Sequence, residues 1–282
     1  MNLSRYDVFR AIAEAGGISA AALELKRTPA AVHYQLRQLE ASLDRKLFVR
    51  VGRRLQMTPV GRVLLEGVTG GLAQIRRVEE RLLDEGEAVP LRVMAVSGFG
   101  RYRLAPRLLR ELPAQRRLQL VFGTHEQTVE AVRHGQADLG ITYRGVVTTP
   151  IEAVPLALED LALLAPAAMA GRPLADLLGE RFITYDEYDY VYARWFESVL
   201  GRQPASLRRG DHFGELEEAM ESAAFGRGLV IVPADAWQTG CWAGRLAIPA
   251  QAPVASNTIF LIGPPGTIDG ADAQLLRRAS RA

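Results

Sequence analysis

Residues 28–59, TPAAVHYQLRQLEASLDRKLFVRVGRRLQMTP, decide how the rest of the chain is read. Thr28-Pro29 is a strong helix start, because threonine caps and proline at the first helical position loses no needed donor. Val32, Leu36, Leu39 and Leu43 then recur at spacings of 4, 3 and 4, which puts them on one core-facing stripe. The other face carries Ala30, His33, Tyr34 and Arg37. Small, polar, aromatic and cationic groups near a helix N-terminus suit entry into a major groove. Phe48, Val49 and Val51 suit a strand, Gly52 a turn, and residues 55–57 a returning strand. This short hairpin carries Lys46, Arg50, Arg53 and Arg54. A basic hairpin beside such a helix is a wing whose arginines can meet phosphates or a narrow minor groove.

Working back from that stretch, Leu3, Tyr6, Phe9 and Ile12 mark one face of a first helix, and Gly16-Gly17 should stop it. Ser19 is expected to cap a short second helix over 20–25. Two short helices joined by a tight turn make a helix-turn-helix. Residues 1–62 hold 11 Lys and Arg against 5 Asp and Glu, a charge of +6, which leaves −4 on the remainder of a chain of net charge +2. On charge alone, a polyanion partner and a merely solvated basic surface stay equally open.

Residues 11–61 resemble the N-terminal domain of LysR-type regulators. The shared pattern is a small-residue turn, a helix ending in Leu39-Glu40, then LFVRVGR, then MTPVG. The resemblance implies that Thr28, Pro29, Ala30, His33, Tyr34 and Arg37 face DNA, with Arg50 and Arg53 supporting from the wing. The family usually has proline where this chain has Ala30, serine at His33 and often arginine at Tyr34. The target sequence therefore cannot be carried over.

Downstream, Thr58 caps and Pro59 starts a helix that can run to about Asp84. Leu65, Val68, Leu72, Ile75 and Leu82 form a heptad-like stripe, with Glu79 at one polar position. The stripe suits either a helix pair or packing on its own domain, and the resemblance tips it toward a dimerising linker. Residues 85–90 read as a hinge. Beyond them, strand and helix patterns alternate: 91–98, 101–112, 118–124, 127–136 and 137–143, then 157–166, 181–186, 190–200, 207–213, 215–225 and 228–233. Such alternation implies α/β units with mainly parallel sheets. Residues 257–265 are expected to return to the first half.

The expected fold class is therefore α+β multidomain: a winged helix-turn-helix (1–58), a linker helix and hinge (59–89), and a two-lobed α/β effector domain (90–282). Lobe I would comprise 90–152 and 255–282, and lobe II 153–254. The resemblance extends here, more loosely, to the family's effector domain, which is similar to periplasmic solute-binding proteins. Two lobes make a cleft, where ligands bind. Strand ends and family matches nominate Ser97, Phe99, Arg101, Thr124, Tyr143, Tyr185 and Phe213 as effector-binding residues.

The segment YDEYDYVYARWF at 185–196 mixes aromatics with carboxylates. A cationic effector, a carboxylate effector held at Ser97 and Arg101, and a purely structural cluster remain open. Residues 98–101 lack the third glycine of a dinucleotide fingerprint, since Arg103 stands there; His125 lacks a second histidine, since Val129 does. No catalytic set, metal site or cofactor is expected, His33 included. The lone Cys241 and the absence of a long apolar run suggest a cytoplasmic, membrane-free protein. The implied partners are double-stranded DNA, an unidentified small-molecule effector, a second or further copies of the chain as homodimer or homotetramer, and RNA polymerase.

Overall fold

The first three helices of the computed structural model are α1 (Leu3–Ala15), α2 (Ile18–Glu24) and α3 (Pro29–Leu43). The structure describes residues 3–52, 54–83, 90–146, 151–185, 188–204, 207–239, 241–242, 244–250 and 252–281. At α3 the Thr28 hydroxyl accepts the Ala31 N–H at 3.2 Å, and Pro29 takes the first turn. Gly16 ends α1 with φ +72°, a left-handed exit that glycine makes at little cost. The second helix departs from expectation. It starts at Ile18 on an extended Gly17, whose carbonyl accepts the Ala21 N–H at 3.0 Å, and no side chain caps it. Ser19 therefore lies inside the helix.

The hairpin follows as β1 (Phe48–Val51) and β2 (Arg54–Met57), paired antiparallel from Phe48↔Met57 to Val51↔Arg54. Phe9, Ile12, Val32, Leu36, Leu39, Leu47 and Phe48 form one buried core, with the Phe9 and Phe48 rings 5.6 Å apart. The connector is α4 (Pro59–Leu83). Val68 and Leu72 of its stripe are buried in this same core, so part of the stripe packs on its own unit. Gly61 sits where a Cβ would strike the Leu47 carbonyl oxygen and the Met57 side chain. Only glycine lets α4 leave so close to the hairpin.

The chain divides into two units, Met1–Val89 with Arg133–Gln136, and Pro90–Val132 with Ala137–Ala282. The second begins with β3 (Leu91–Val96), which pairs in parallel with both β4 (Leu118–Gly123) and β5 (Leu139–Thr142). Between β3 and β4 run α5 (Ser97–Phe99), a π-helical turn over Gly100–Leu104 and α6 (Ala105–Glu111). Between β4 and β5 lies α7 (His125–Arg133).

A single strand, β6 (Glu152–Pro166), then serves both halves of the unit. It pairs antiparallel with β11 (Ala255–Gly263) over Glu152 to Leu161, and with β9 (Val230–Pro233) from Leu161 to Leu164. The expected boundary at 152/153 thus falls at the first residue of a shared strand. β11 also pairs with β5, so the C-terminal strand does return to the first half. A register shift at Ile259/Phe260 bends the β6–β11 ladder, as bulges do.

The second half holds α8 (Leu174–Leu177), β7 (Phe182–Tyr185), α9 (Tyr188–Leu200), β8 (Arg209–Phe213), α10 (Leu216–Ala224), α11 (Ala234–Thr239) and β10 (Leu246–Ala247). β7 and β8 pair in parallel. Lobe I closes on Leu91, Phe99, Ile141 and Leu276, the last from α12 (Ala271–Ala279). Lobe II closes on Phe182, Trp195, Met220 and Ile231.

Candidate nucleic-acid interface and inter-lobe cleft

In the first unit, Val32, Leu36 and Leu39 are buried, and their burial turns the opposite face of α3 outward. Thr28, Pro29, Ala30, His33, Tyr34 and Arg37 are all exposed, Tyr34 by 60%. A tyrosine so exposed, on a helix face that also carries His33 and Arg37, has no packing role to explain it. The turn before α3 is tight: Lys26 takes φ +52°, and Arg27 donates to the Ser4 hydroxyl of α1 at 3.3 Å. Arg50 is exposed on β1 and Arg54 on β2; Arg53 lies outside the described residues.

One residue of this surface escaped the sequence reading. Glu40 is only 6% exposed. Its carboxylate accepts the Leu47 N–H at 3.0 Å, the Phe48 N–H at 3.4 Å and the Lys46 ammonium at 2.7 Å. Burial pushes its pKa up, but these donors outweigh burial and hold it below the ordinary value. Glu40 thereby fixes the start of the hairpin to the end of α3. The signal was available as the acid of Leu39-Glu40 followed by Lys46, but an acid at a helix end reads first as solvated surface.

In the second unit, the end of β3 meets the start of α10. The Ser97 hydroxyl donates to Glu215 Oε2 at 3.1 Å, and Arg101 reaches the same oxygen at 3.4 Å. Arg101 Nε lies 3.5 Å from Glu217 Oε1, which also accepts the Tyr102 hydroxyl at 2.6 Å. Burial and this carboxylate both push the Tyr102 phenol up. Elsewhere in the cleft Tyr143 stacks on Tyr190, centroids 3.7 Å apart and planes within 11°. The Arg144 guanidinium lies 5.5 Å from the first ring and 5.8 Å from the second. His125 bonds the Thr142 hydroxyl through Nδ1 and lies 5.4 Å from the Tyr143 ring. Burial pulls the His125 pKa down, and Arg144 adds to that against an opposing Glu126. Arg103 is buried and ties the π-helical turn to Asp235 on α11 at 2.7 Å.

Ser97 and Arg101 thus share one carboxylate, and Tyr143 faces the partner lobe. Thr124 is half-buried and caps α7: its hydroxyl accepts the Gln127 N–H at 3.3 Å while the Gln127 side chain accepts the Thr124 N–H at 2.9 Å. That exchange is a capping box. Phe99 is buried in the lobe I core with Arg103 5.4 Å from its ring. Tyr185 is buried in lobe II and donates to the Ile231 carbonyl at 3.2 Å. Phe213 is half-buried at the end of β8 against the same core. Of the aromatic segment, Tyr192 and Trp195 are core residues; Asp186 and Glu187 lie outside the described residues. Among the described residues no group of three or more His, Cys, Asp or Glu could hold a metal ion, and no helix is long and apolar enough to cross a membrane.

The sequence pattern described as "Bacterial regulatory helix-turn-helix protein, lysR family" matches residues 3–62, and that described as "LysR substrate binding domain" matches residues 84–282. The HTH-type transcriptional activator AmpR of Rhodobacter capsulatus is 29% identical over 93% of this chain and 90% of its own length. The HTH-type transcriptional regulator PerR of Escherichia coli strain K12 is 31% identical over 82% of this chain and 76% of its own. Among solved structures, full-length CbnR in complex with its target DNA shares the fold, with TM-score 0.64 at 23% identity, covering 99% of this chain and 100% of that one.

Proposed function

The chain belongs to the LysR family of transcription regulators, with a helix-turn-helix domain followed by an effector-binding domain, and on that premise we propose how its residues divide the work. The domain limits are those read from the sequence: 1–58 for DNA, 59–89 for linking and dimerisation, 90–282 for sensing. Thr28, Pro29, Ala30, His33, Tyr34 and Arg37 enter a major groove, and Arg50 and Arg53 hold the flanking phosphates. His33 and Tyr34 read bases in this chain's own way. Phosphate contacts position the domain and base contacts specify it.

The protein acts on chromosomal DNA in the cytoplasm as a homodimer or homotetramer. It binds an interrupted inverted repeat, because two-fold symmetry pairs two recognition helices on one face of the duplex. A small molecule held between lobes I and II, near Ser97, Arg101 and Tyr143, with Thr124 and Phe213 beside it and Phe99 and Tyr185 packed in the two lobe cores behind, shifts how the DNA-binding units sit and what RNA polymerase meets. The chain carries out no catalysis. The observation that carries this reading is the outward face of α3, where a polar, aromatic and cationic row stands exposed opposite the buried Val32, Leu36 and Leu39.

Fluorescence anisotropy with fragments of the protein's own upstream region tests it. A fragment bound at physiological salt against scrambled competitor supports a sequence reader. Binding that vanishes equally for all fragments as salt rises would mark an architectural binder instead.

A further inference from the structure

We propose that Glu215 and Glu217 are a built-in ligand of the inter-lobe cleft, occupying the groups that receive a carboxylate effector. The effector then acts by displacing them. The proposal rests on reading the second unit as a sensor and adds the chemical class of its ligand and the means of its response.

Ser97, Arg101 and Tyr102 all stand on the short helical run after β3, in lobe I. Glu215 and Glu217 stand at the start of α10, in lobe II. Four contacts cross between them: Ser97 to Glu215 at 3.1 Å, Arg101 to Glu215 at 3.4 Å, Arg101 to Glu217 at 3.5 Å and Tyr102 to Glu217 at 2.6 Å. A hydroxyl beside a guanidinium is a carboxylate receptor, and here it already holds a carboxylate.

The fit is poor in a way that invites exchange. Arg101 touches Glu215 through one nitrogen only, at the long end of the hydrogen-bond range. Arginine holds a free carboxylate best through two parallel bonds, a geometry that Glu215, tethered to its helix, does not reach. Two atoms of the cluster are buried without a hydrogen bond, Arg101 Nε and Glu217 Oε2. Buried polar groups normally find partners, so the Arg101 Nε donor is left for an incoming carboxylate to satisfy. One arginine is also shared by two carboxylates. A small carboxylate that takes Arg101 bidentately and accepts from Ser97 replaces Glu215 at both contacts. It adds the bond that Nε lacks, frees Arg101 from Glu217 as well, and leaves only the Tyr102–Glu217 bond of the four contacts to hold α10 to lobe I.

The test is a calorimetric titration of the full-length protein with sodium acetate as probe, with sodium chloride and methylammonium chloride at matched ionic strength as controls. Wild type, Glu215→Ala and Arg101→Ala are compared. Glu215 is exposed and outside both cores, so its removal leaves the fold intact. The expected result is acetate binding at least about tenfold tighter in Glu215→Ala than in wild type, and lost in Arg101→Ala. Hydrogen exchange of Ser97–Phe99 and Leu216–Ala224 should speed up when acetate, and not chloride, is added to wild type. Equal acetate affinity in wild type and Glu215→Ala, binding that survives Arg101→Ala, a gain for methylammonium instead, or no acetate binding in any variant would each overturn the proposal. Anisotropy with upstream DNA on the same samples keeps the two readings apart. Lost DNA binding with the acetate pattern intact counts against the regulator reading alone, and the converse against the latch alone.

Discussion

Replacing Glu40 by alanine should loosen the wing without unfolding the unit around it, and the size of the effect follows from three contacts. The Leu47 N–H loses its acceptor at 3.0 Å while Leu47 itself is fully buried, and an orphaned buried donor costs about 1–3 kcal/mol. The Phe48 N–H, at 3.4 Å, is a weaker contact and adds less. The Lys46 ammonium pairs at 2.7 Å, but its side chain is 58% exposed, so that ion pair contributes about 0–1 kcal/mol. Together these give roughly 2–3 kcal/mol of local stability. Hydrogen exchange followed by NMR is the right assay, because the three tryptophans, Trp195, Trp237 and Trp242, all lie in the second unit and are silent about the first. The Leu47 amide should exchange roughly 30- to 150-fold faster in Glu40→Ala, at about 1.4 kcal/mol per tenfold. Glu40→Gln keeps an oxygen for the two N–H groups and should stay within about fivefold of wild type. Exchange of Leu47 in Glu40→Ala within about threefold of wild type would refute the anchoring role.

Glu40 also predicts acid sensitivity. Its folded pKa lies below its ordinary value of 4.5, so its contribution is complete above that value and is lost as pH falls through the depressed one; a carboxyl-carbon NMR titration should place its midpoint below 4.5, and a midpoint above it would contradict the anchoring. Gly61→Ala should cost about 1–3 kcal/mol, because the new Cβ meets the Leu47 carbonyl, and exchange rates along β1 and the start of α4 should rise together. Arg50→Ala should weaken DNA binding equally for all sequences and lower the salt slope by about 0.9, as measured by anisotropy over a salt series. His33→Ala, by contrast, should leave that slope unchanged and relax preference at individual base positions, seen as a flattened response to single-base substitutions in the site.

Much of this architecture was legible because local chemistry and long-range packing agree. Thr28-Pro29 caps α3 as its residues demand, and the 4-3-4 spacing of Val32, Leu36, Leu39 and Leu43 puts the first three in the core. The start of α2 was misread because Ser19 is a good cap in isolation, whereas the Gly17 carbonyl closes the first turn earlier. The first part of β6, residues 152–156, was hidden by Glu152 and Pro155, which break the apolar pattern at the start of a strand that crosses from one lobe to the other. The aromatic segment around Tyr192 and Trp195 left a cation site and a structural cluster both open, and α9 turns these two residues into the lobe II core. Contacts such as Ser97 to Glu215 join residues 118 apart in sequence, and nothing local to either residue announces them.

Footprinting of the full-length protein on its own upstream region at physiological salt tests the central claim most directly. The account predicts protected half-sites related by inverted symmetry and spaced by about 10 base pairs or a multiple, with the pattern inside each half-site altered by His33→Ala. Uniform, salt-labile protection without half-sites, unchanged by His33→Ala, would contradict it.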